Sequence, residues 1–592
     1  LSINNNINIK YLKMNTKNFK ILSLAVGATV LLAGCNGLGK MVKKQNTITF
    51  NVNPNPLEMH GDSIVFSVSG KYPAKLFAKK ATVTVTPVIK YNGGEKAMKP
   101  VILVGEKAVG SGQKISYEKG GSFNYTSEKF AYEPAMKVAT VEVRAQGVVK
   151  KKSKVFTPVT LADGTIVTPL LVRNSEKGIY AADAFVKLVP VNQIANIYFA
   201  INASDVRSSE LKSEEMKNIQ AFISQNINNS SYAFKDISVS AYASPDGELT
   251  LNADLAQDRA KSGANALKGE FKKNKNKTQT FGKEEANYIT KTTAEDWDGF
   301  KSMMESSTIA DKDLILRVLT MYADNDQREK EIKNLSKTYT EVADKILPKL
   351  RRSVLTVNVD KKSRTDEQIT KLTTSSIDSL SLEELLYAGN LTADLNNKVM
   401  IYKAAEKNFA SDWRTSNNLG VALLFQNKVT EASEAFTRAE KTANGNPILM
   451  NHLGIIAAKS GDRKKAMDYY NKANGAGPEV NYNKGILNIR DGKYADAVSN
   501  FGSSIDFNKA LAELLNGNAA SVSTTLDASN DKDMAMASYL KAVAAARSAN
   551  ASNVVSSLKA AIEKDGTLKA AAKDDAEFIK LKENADFKAL VN

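Results

Sequence analysis

From about Ile48 to Val186 the chain alternates apolar and polar positions over short runs. Ile64, Phe66 and Val68 form one such run, and Thr82-Val-Thr-Val-Thr86 and Thr140-Val-Glu-Val-Arg144 form two more. A period of two predicts strands with one buried face. Turn signals such as Asn92-Gly-Gly94 separate the runs. Short strands at this spacing predict a β-sandwich region of immunoglobulin type over 48–188, as one or two small sandwiches. The pattern recurs once further on, with Ile237 and Val239 set against Ser238 and Ser240. Pro245-Asp246-Gly247 then supplies a turn, because proline presets one dihedral and glycine tolerates positive φ. In the helix that follows, Asn252, Leu255 and Arg259 lie three and four residues apart and share one face.

Beyond Asp360 a polar stretch to about Ser379 reads as a linker, and from 380 to 592 the helical period takes over. Gly420, Ala432, Phe436 and Ala439 fit the positions that close a tetratricopeptide helix pair, and 34 residues on Gly454, Ala466, Tyr470 and Ala473 repeat them. A third unit, Gly485, Ala497 and Phe501, keeps the internal spacing and arrives three residues early. The small residues let two helices approach and the aromatic fills the gap between neighbours. Tyr402 and Ala405 imply a degenerate unit before these. The alanine-rich stretch after Asn508 reads as divergent repeats with a cap. Grooves of this kind take many unrelated peptides, so the pattern implies a protein partner without naming it.

The stretch Asp236–Ala260 resembles the peptidoglycan-binding domain of the OmpA family, whose signature runs G-H-T-D-x-x-G…N-x-x-L-S-x-x-R-A. Ala241-Tyr242-Ala243-Ser244 occupy the G-H-T-D positions, and Gly247, Asn252, Leu255, Arg259 and Ala260 match. The resemblance extends to Ile197–Ala200 as a first strand, a helix from Ser213, and Leu347–Val359 as a last strand preceded by paired arginines. It bounds an α/β domain at 189–360, with an insertion at about 273–346 that contains Trp297. In that family the arginine and aspartate grip the diaminopimelate of the peptide stem. This makes Arg259, Asp246, Ser244, Asn252 and Tyr242 the candidate site. Guanidinium suits a carboxylate and a carboxylate suits an ammonium. This chain departs at two points. Ser244 stands in the aspartate's place, with Asp246 two residues late, and Ala256 replaces the family's serine. Either Asp246 supplies the charge from a reshaped loop or the site is lost.

The N-terminus sets the expected compartment. Residues 1–13 read as an upstream extension and 14–34 as a signal peptide, with Lys17 and Lys20 before a short apolar run. That run ends in Leu32-Ala-Gly-Cys35, which resembles a bacterial lipobox. Cys35 is the single cysteine of the chain, so no intrachain disulfide is open to it, and acylation there implies an outer-membrane lipid anchor followed by a linker over 35–47. Asn36 and the lysines after it, instead of an acidic cluster, point to a periplasm-facing body. The β region is faintly similar to other Bacteroidota lipoproteins with OmpA-like domains.

The formal charge of +17 over 592 residues suits an anionic surface or polymer, and export argues against nucleic acid. Gly34–Lys40 mimics a P-loop, but Met41 stands where serine or threonine belongs. With two histidines, His60 and His452, and no catalytic or metal-ligand spacing, no enzyme, cofactor or metal is expected. The reading is a multidomain α+β lipoprotein that tethers or scaffolds an envelope assembly, with peptidoglycan and a protein as candidate partners. The alternative is a pure protein scaffold of a secretion, pilus or surface apparatus. A surface adhesin is a third reading.

Overall fold

Alternation becomes a central strand at Thr82–Tyr91, where Val83 and Val85 face inward and the threonines face out. This strand pairs antiparallel with Thr140–Val149 on one side and Val101–Gly105 on the other, inside a seven-stranded sheet. The computed structural model describes residues 37–592. The signal segment and Cys35 lie outside the described residues. The chain divides into two compact units, one holding residues up to Lys177 together with Ala457–Asn592, the other Gly178–Ile456.

In the first unit, two smaller sheets join the seven-stranded one around a single apolar core that includes Phe66, Phe77, Phe123 and Met136. One shared core replaces the option of two small sandwiches. The helix Gly37–Lys43 feeds Leu38 and Met41 into it, and the Ala78 N–H donates to Met41 Sδ at 3.3 Å. The described part of the expected 35–47 linker is therefore a docked helix. The strands end at Ile166, short of the expected 188. The C-terminal helices of this unit form a second core around Leu511, Leu540, Val543 and Phe578. The β part docks on them, with His60 beside Tyr494 at 5.7 Å between ring centres and Asp62 paired to Arg463 at 2.8 Å.

In the second unit, a four-stranded sheet runs in the order Leu188–Tyr198, Arg352–Lys362, Tyr232–Tyr242, Tyr288–Thr293. The first three strands are antiparallel neighbours and the last is parallel to Tyr232–Tyr242. Helices Glu214–Asn226 and Leu249–Lys272 supply Ile219, Leu267 and Phe271 to the core against Ile237, Val239 and Leu355. Because Tyr288–Thr293 is a strand of the sheet, the extra module is narrower than 273–346. It consists of the helices from Trp297 to Leu350, which have their own core of Phe300, Met304, Ile315 and Val342. Leu347–Leu350 is a helical turn, and the last strand begins at Arg352.

The polar stretch 361–379 is not an irregular linker. It carries the helix Asp366–Ser375, started by a reciprocal Thr365–Gln368 capping box. Polarity without an evident apolar stripe hid it. Helix pairs follow in each unit. Asn427 in the second unit and Gly492 and Gly517 in the first join paired helices through a residue at positive φ, which asparagine and glycine tolerate best. Among the described residues no helix is long and apolar enough to cross a membrane.

Candidate functional site

The five residues singled out in the α/β domain do converge, at the end of Tyr232–Tyr242 and the first turns of Leu249–Lys272. They face inward. Arg259 is 1% exposed. Its Nε donates to the Ala203 carbonyl at 3.0 Å, Nη1 to the Tyr242 carbonyl at 3.0 Å and Nη2 to the Ala200 carbonyl at 3.4 Å. The guanidinium also lies 5.4 Å from the centre of the Phe199 ring. Burial first, then the charge of Arg351, lowers its pKa to about 10.

Ser244 is buried, and its hydroxyl accepts from Arg351 Nε at 3.2 Å. Asn252, also buried, donates to the carbonyls of Ser244 and Gly247 and so holds the loop closed. Tyr242 lies under Arg352, whose guanidinium stands 4.5 Å from the ring centre and pairs with Asp296 at 2.9 Å.

The helices after Trp297 cover this loop. Pro245 and Asp246 share a small cavity with Trp297, Phe300, Ile332 and Tyr339, and the Gly247 N–H donates to Glu329 at 2.7 Å. One carboxylate oxygen of Asp246 is buried without a hydrogen-bond partner. What the arrangement does chemically is hold the loop shut. The side-chain donors of Arg259 and Asn252 are spent on the protein's own backbone, and Arg351 and the Gly247 N–H are taken by Ser244 and Glu329.

The repeat-signature residues are buried in both units. In the second unit Ala432 and Phe436 are fully buried, and a Cβ added at Gly420 would stand 2.5 Å from the Phe436 ring. In the first unit Ala466, Tyr470, Ala497 and Phe501 are buried, and a Cβ at Gly485 would stand 2.8 Å from Phe501. Gly454 is buried on Pro447–Lys459. Small residues thus admit the aromatic of the paired helix.

A second constellation escaped the sequence reading. Residues 172–186 form no helix or strand, yet side chains on the first helix of successive pairs bond their backbone. In the first unit, Asn508 accepts from the Arg173 N–H at 2.9 Å and donates to its carbonyl at 3.0 Å. Asn483 does the same to Lys177, at 2.7 and 3.0 Å. In the second unit, Asn418 does it to Ala181, at 2.7 and 3.0 Å. There His452 Nε2 also accepts from the Ile179 N–H at 2.9 Å. Asn418, His452 and Asn483 each stand two residues before the signature glycine of their unit, and Asn508 stands two before Ala510. That regularity is the signal that could have revealed them.

No protein-family model and no curated protein matches the chain. Solved structures similar to it include the crystal structure of YrrB, a TPR protein with an unusual peptide-binding site. It is 20% identical over 34% of this chain and 94% of that one, with a TM-score of 0.20. Another is the APC/C hetero-tetramer Cut9-Hcn1, 13% identical over 38% of this chain and 45% of that one, with a TM-score of 0.24. The repeat character of the C-terminal helices rests on their own glycine–aromatic packing.

Proposed function

We propose that the chain is a non-enzymatic, lipid-anchored scaffold of the bacterial outer membrane, facing the periplasm. In this reading its OmpA-like module is a protein-contact domain that does not hold peptidoglycan. The observation that carries this reading is Arg259, 1% exposed with three donors on backbone carbonyls. To grip a diaminopimelate carboxylate it would have to leave all three. Each abandoned carbonyl would cost roughly 1–3 kcal/mol, and the helices over Asp246 would have to lift as well. Ser244, in the place of the family's aspartate, supports the same reading by serving Arg351.

The anchor is acylated Cys35, and the described residues open at Gly37 on the docked helix. With Leu38 and Met41 in the β core and Lys40, Lys43 and Lys44 exposed, such an anchor holds the β part close against the headgroups. The helix pairs supply the contact with a protein partner. No part of the reading calls on nucleic acid, metal or cofactor.

Co-sedimentation with purified peptidoglycan sacculi tests this, using the chain without residues 1–35. A protein of this charge adheres to anionic wall polymers at low ionic strength, and that adhesion is screened by salt. The expected result is binding that disappears at moderate salt. Salt-resistant, saturable binding overturns the proposal.

A further inference from the structure

The bonds on residues 173–181 are unlike ordinary loop contacts. In each of three places one asparagine amide takes both the N–H and the C=O of a single residue, as a neighbouring β-strand would. The three residues held, Arg173, Lys177 and Ala181, are spaced four apart. Backbone capture of this kind is indifferent to side chain and suits any extended peptide.

Side-chain contacts add selectivity. In the first unit the Arg173 guanidinium meets Asp531 at 3.0 Å. The Glu176 carboxylate lies buried between Lys459 and Arg490, 3.4 Å from each. In the second unit Tyr180 sits among Tyr402 and Phe425 at 5.9 and 6.1 Å, and Phe185 stacks on Tyr387 at 4.6 Å. A Cβ at Gly178 would stand 3.1 Å from Val421, so the path is narrow there.

We infer that the helix faces carrying Asn508 and Asn483 in one unit, and Asn418 and His452 in the other, are peptide-binding surfaces whose resident ligand is the chain's own segment 173–185. The segment occludes these faces in cis. The partner peptide that displaces it is extended. At the first unit's face its pattern is a cation with an acid three residues on, and at the second unit's face two aromatics five apart, the first standing two residues after a glycine. A tethered ligand competes at an effective concentration in the millimolar range, so the intact chain takes such a peptide poorly.

The test uses the chain without residues 1–35 and a labelled synthetic peptide of residues 172–186. Lys177→Pro with Ala181→Pro removes the two N–H groups that Asn483 and Asn418 accept. Proline suits extended backbone and leaves the helices untouched. The proline variant is expected to bind the peptide on the order of a hundredfold more tightly than the parent chain. Adding Asn418→Ala and Asn483→Ala should abolish the gain. Equal binding to parent and proline variant, or no binding to a variant whose helical signal is intact, overturns the inference.

Hydrogen exchange on the parent chain decides independently of any variant's folding. The Lys177 and Ala181 amides are expected to exchange through local opening, ahead of the amides in Trp413–Phe425 and Pro478–Arg490. Exchange only on global unfolding makes the segment a permanent part of the core and overturns the inference.

Discussion

At the scale of single residues, the helical period placed Asn252 and Arg259 on one face, and they do share it. It did not say which way that face looks. The answer depends on the Phe199–Ala203 stretch that receives Arg259, and for the neighbouring loop on the helices from Trp297 onward beside Pro245 and Asp246; these contacts are long-range and leave no local periodicity. Arg259 is therefore a structural arginine. Arg259→Ala is expected to lower stability by roughly 2–4 kcal/mol in urea denaturation, since the Ala200, Ala203 and Tyr242 carbonyls lose their donor. A loss below about 0.5 kcal/mol, typical of a surface substitution, contradicts this.

His452 belongs to the same scale. It is fully buried, stacked on Phe436 at 4.5 Å, and burial lowers its pKa from 6.5 to about 3. The unfolded chain takes up that proton first as pH falls. The neutral ring's contribution is therefore complete above about 6.5 and is lost progressively down to about 3. His452→Asn keeps an acceptor for the Ile179 N–H and introduces the residue used at the equivalent positions. It is expected to flatten the stability–pH curve within that window. An unchanged slope there contradicts the assignment.

At the scale of elements, the strands and helix pairs were legible because their periods are local. Gly420 with Phe436 and Gly485 with Phe501 recur at a spacing that packing demands, and the packing is observed. Gly420→Ala is expected to cost about 1–3 kcal/mol by overpacking against Phe436, read as a lowered melting temperature. At Gly517, where space is open and φ is +88°, alanine should cost only the backbone term of roughly 1–2 kcal/mol. Two features were not legible. The helix Asp366–Ser375 buries only Ile369 and shows almost no apolar stripe. Residues 172–186 have no period at all, because their backbone partners, three asparagines and a histidine among them, are distant in sequence.

At the scale of the whole chain, sequence order predicted three modules in succession. The chain instead groups its β part with Ala457–Asn592, and its α/β part with the helices up to Ile456. No pattern along the chain announces that grouping. It arises from contacts such as His60 with Tyr494 and Asp62 with Arg463, between residues more than 400 apart. The excess of lysine and arginine, by contrast, was plain from composition. It predicts salt-sensitive adhesion to anionic surfaces of any kind, which specific binding must outlast.

The central claim is that the loop from Tyr242 to Gly247 is closed to peptidoglycan. Trp297 lines the cavity beside Asp246 and is one of only two tryptophans in the chain. With Trp413→Phe in place, Trp297 fluorescence reports on that loop alone. The measurement is a titration at moderate salt with a soluble stem peptide containing diaminopimelate, followed by Trp297 emission and by heat. The account predicts no saturable change in either. A saturable change in both, at one stoichiometric site, would contradict it and return the module to the wall.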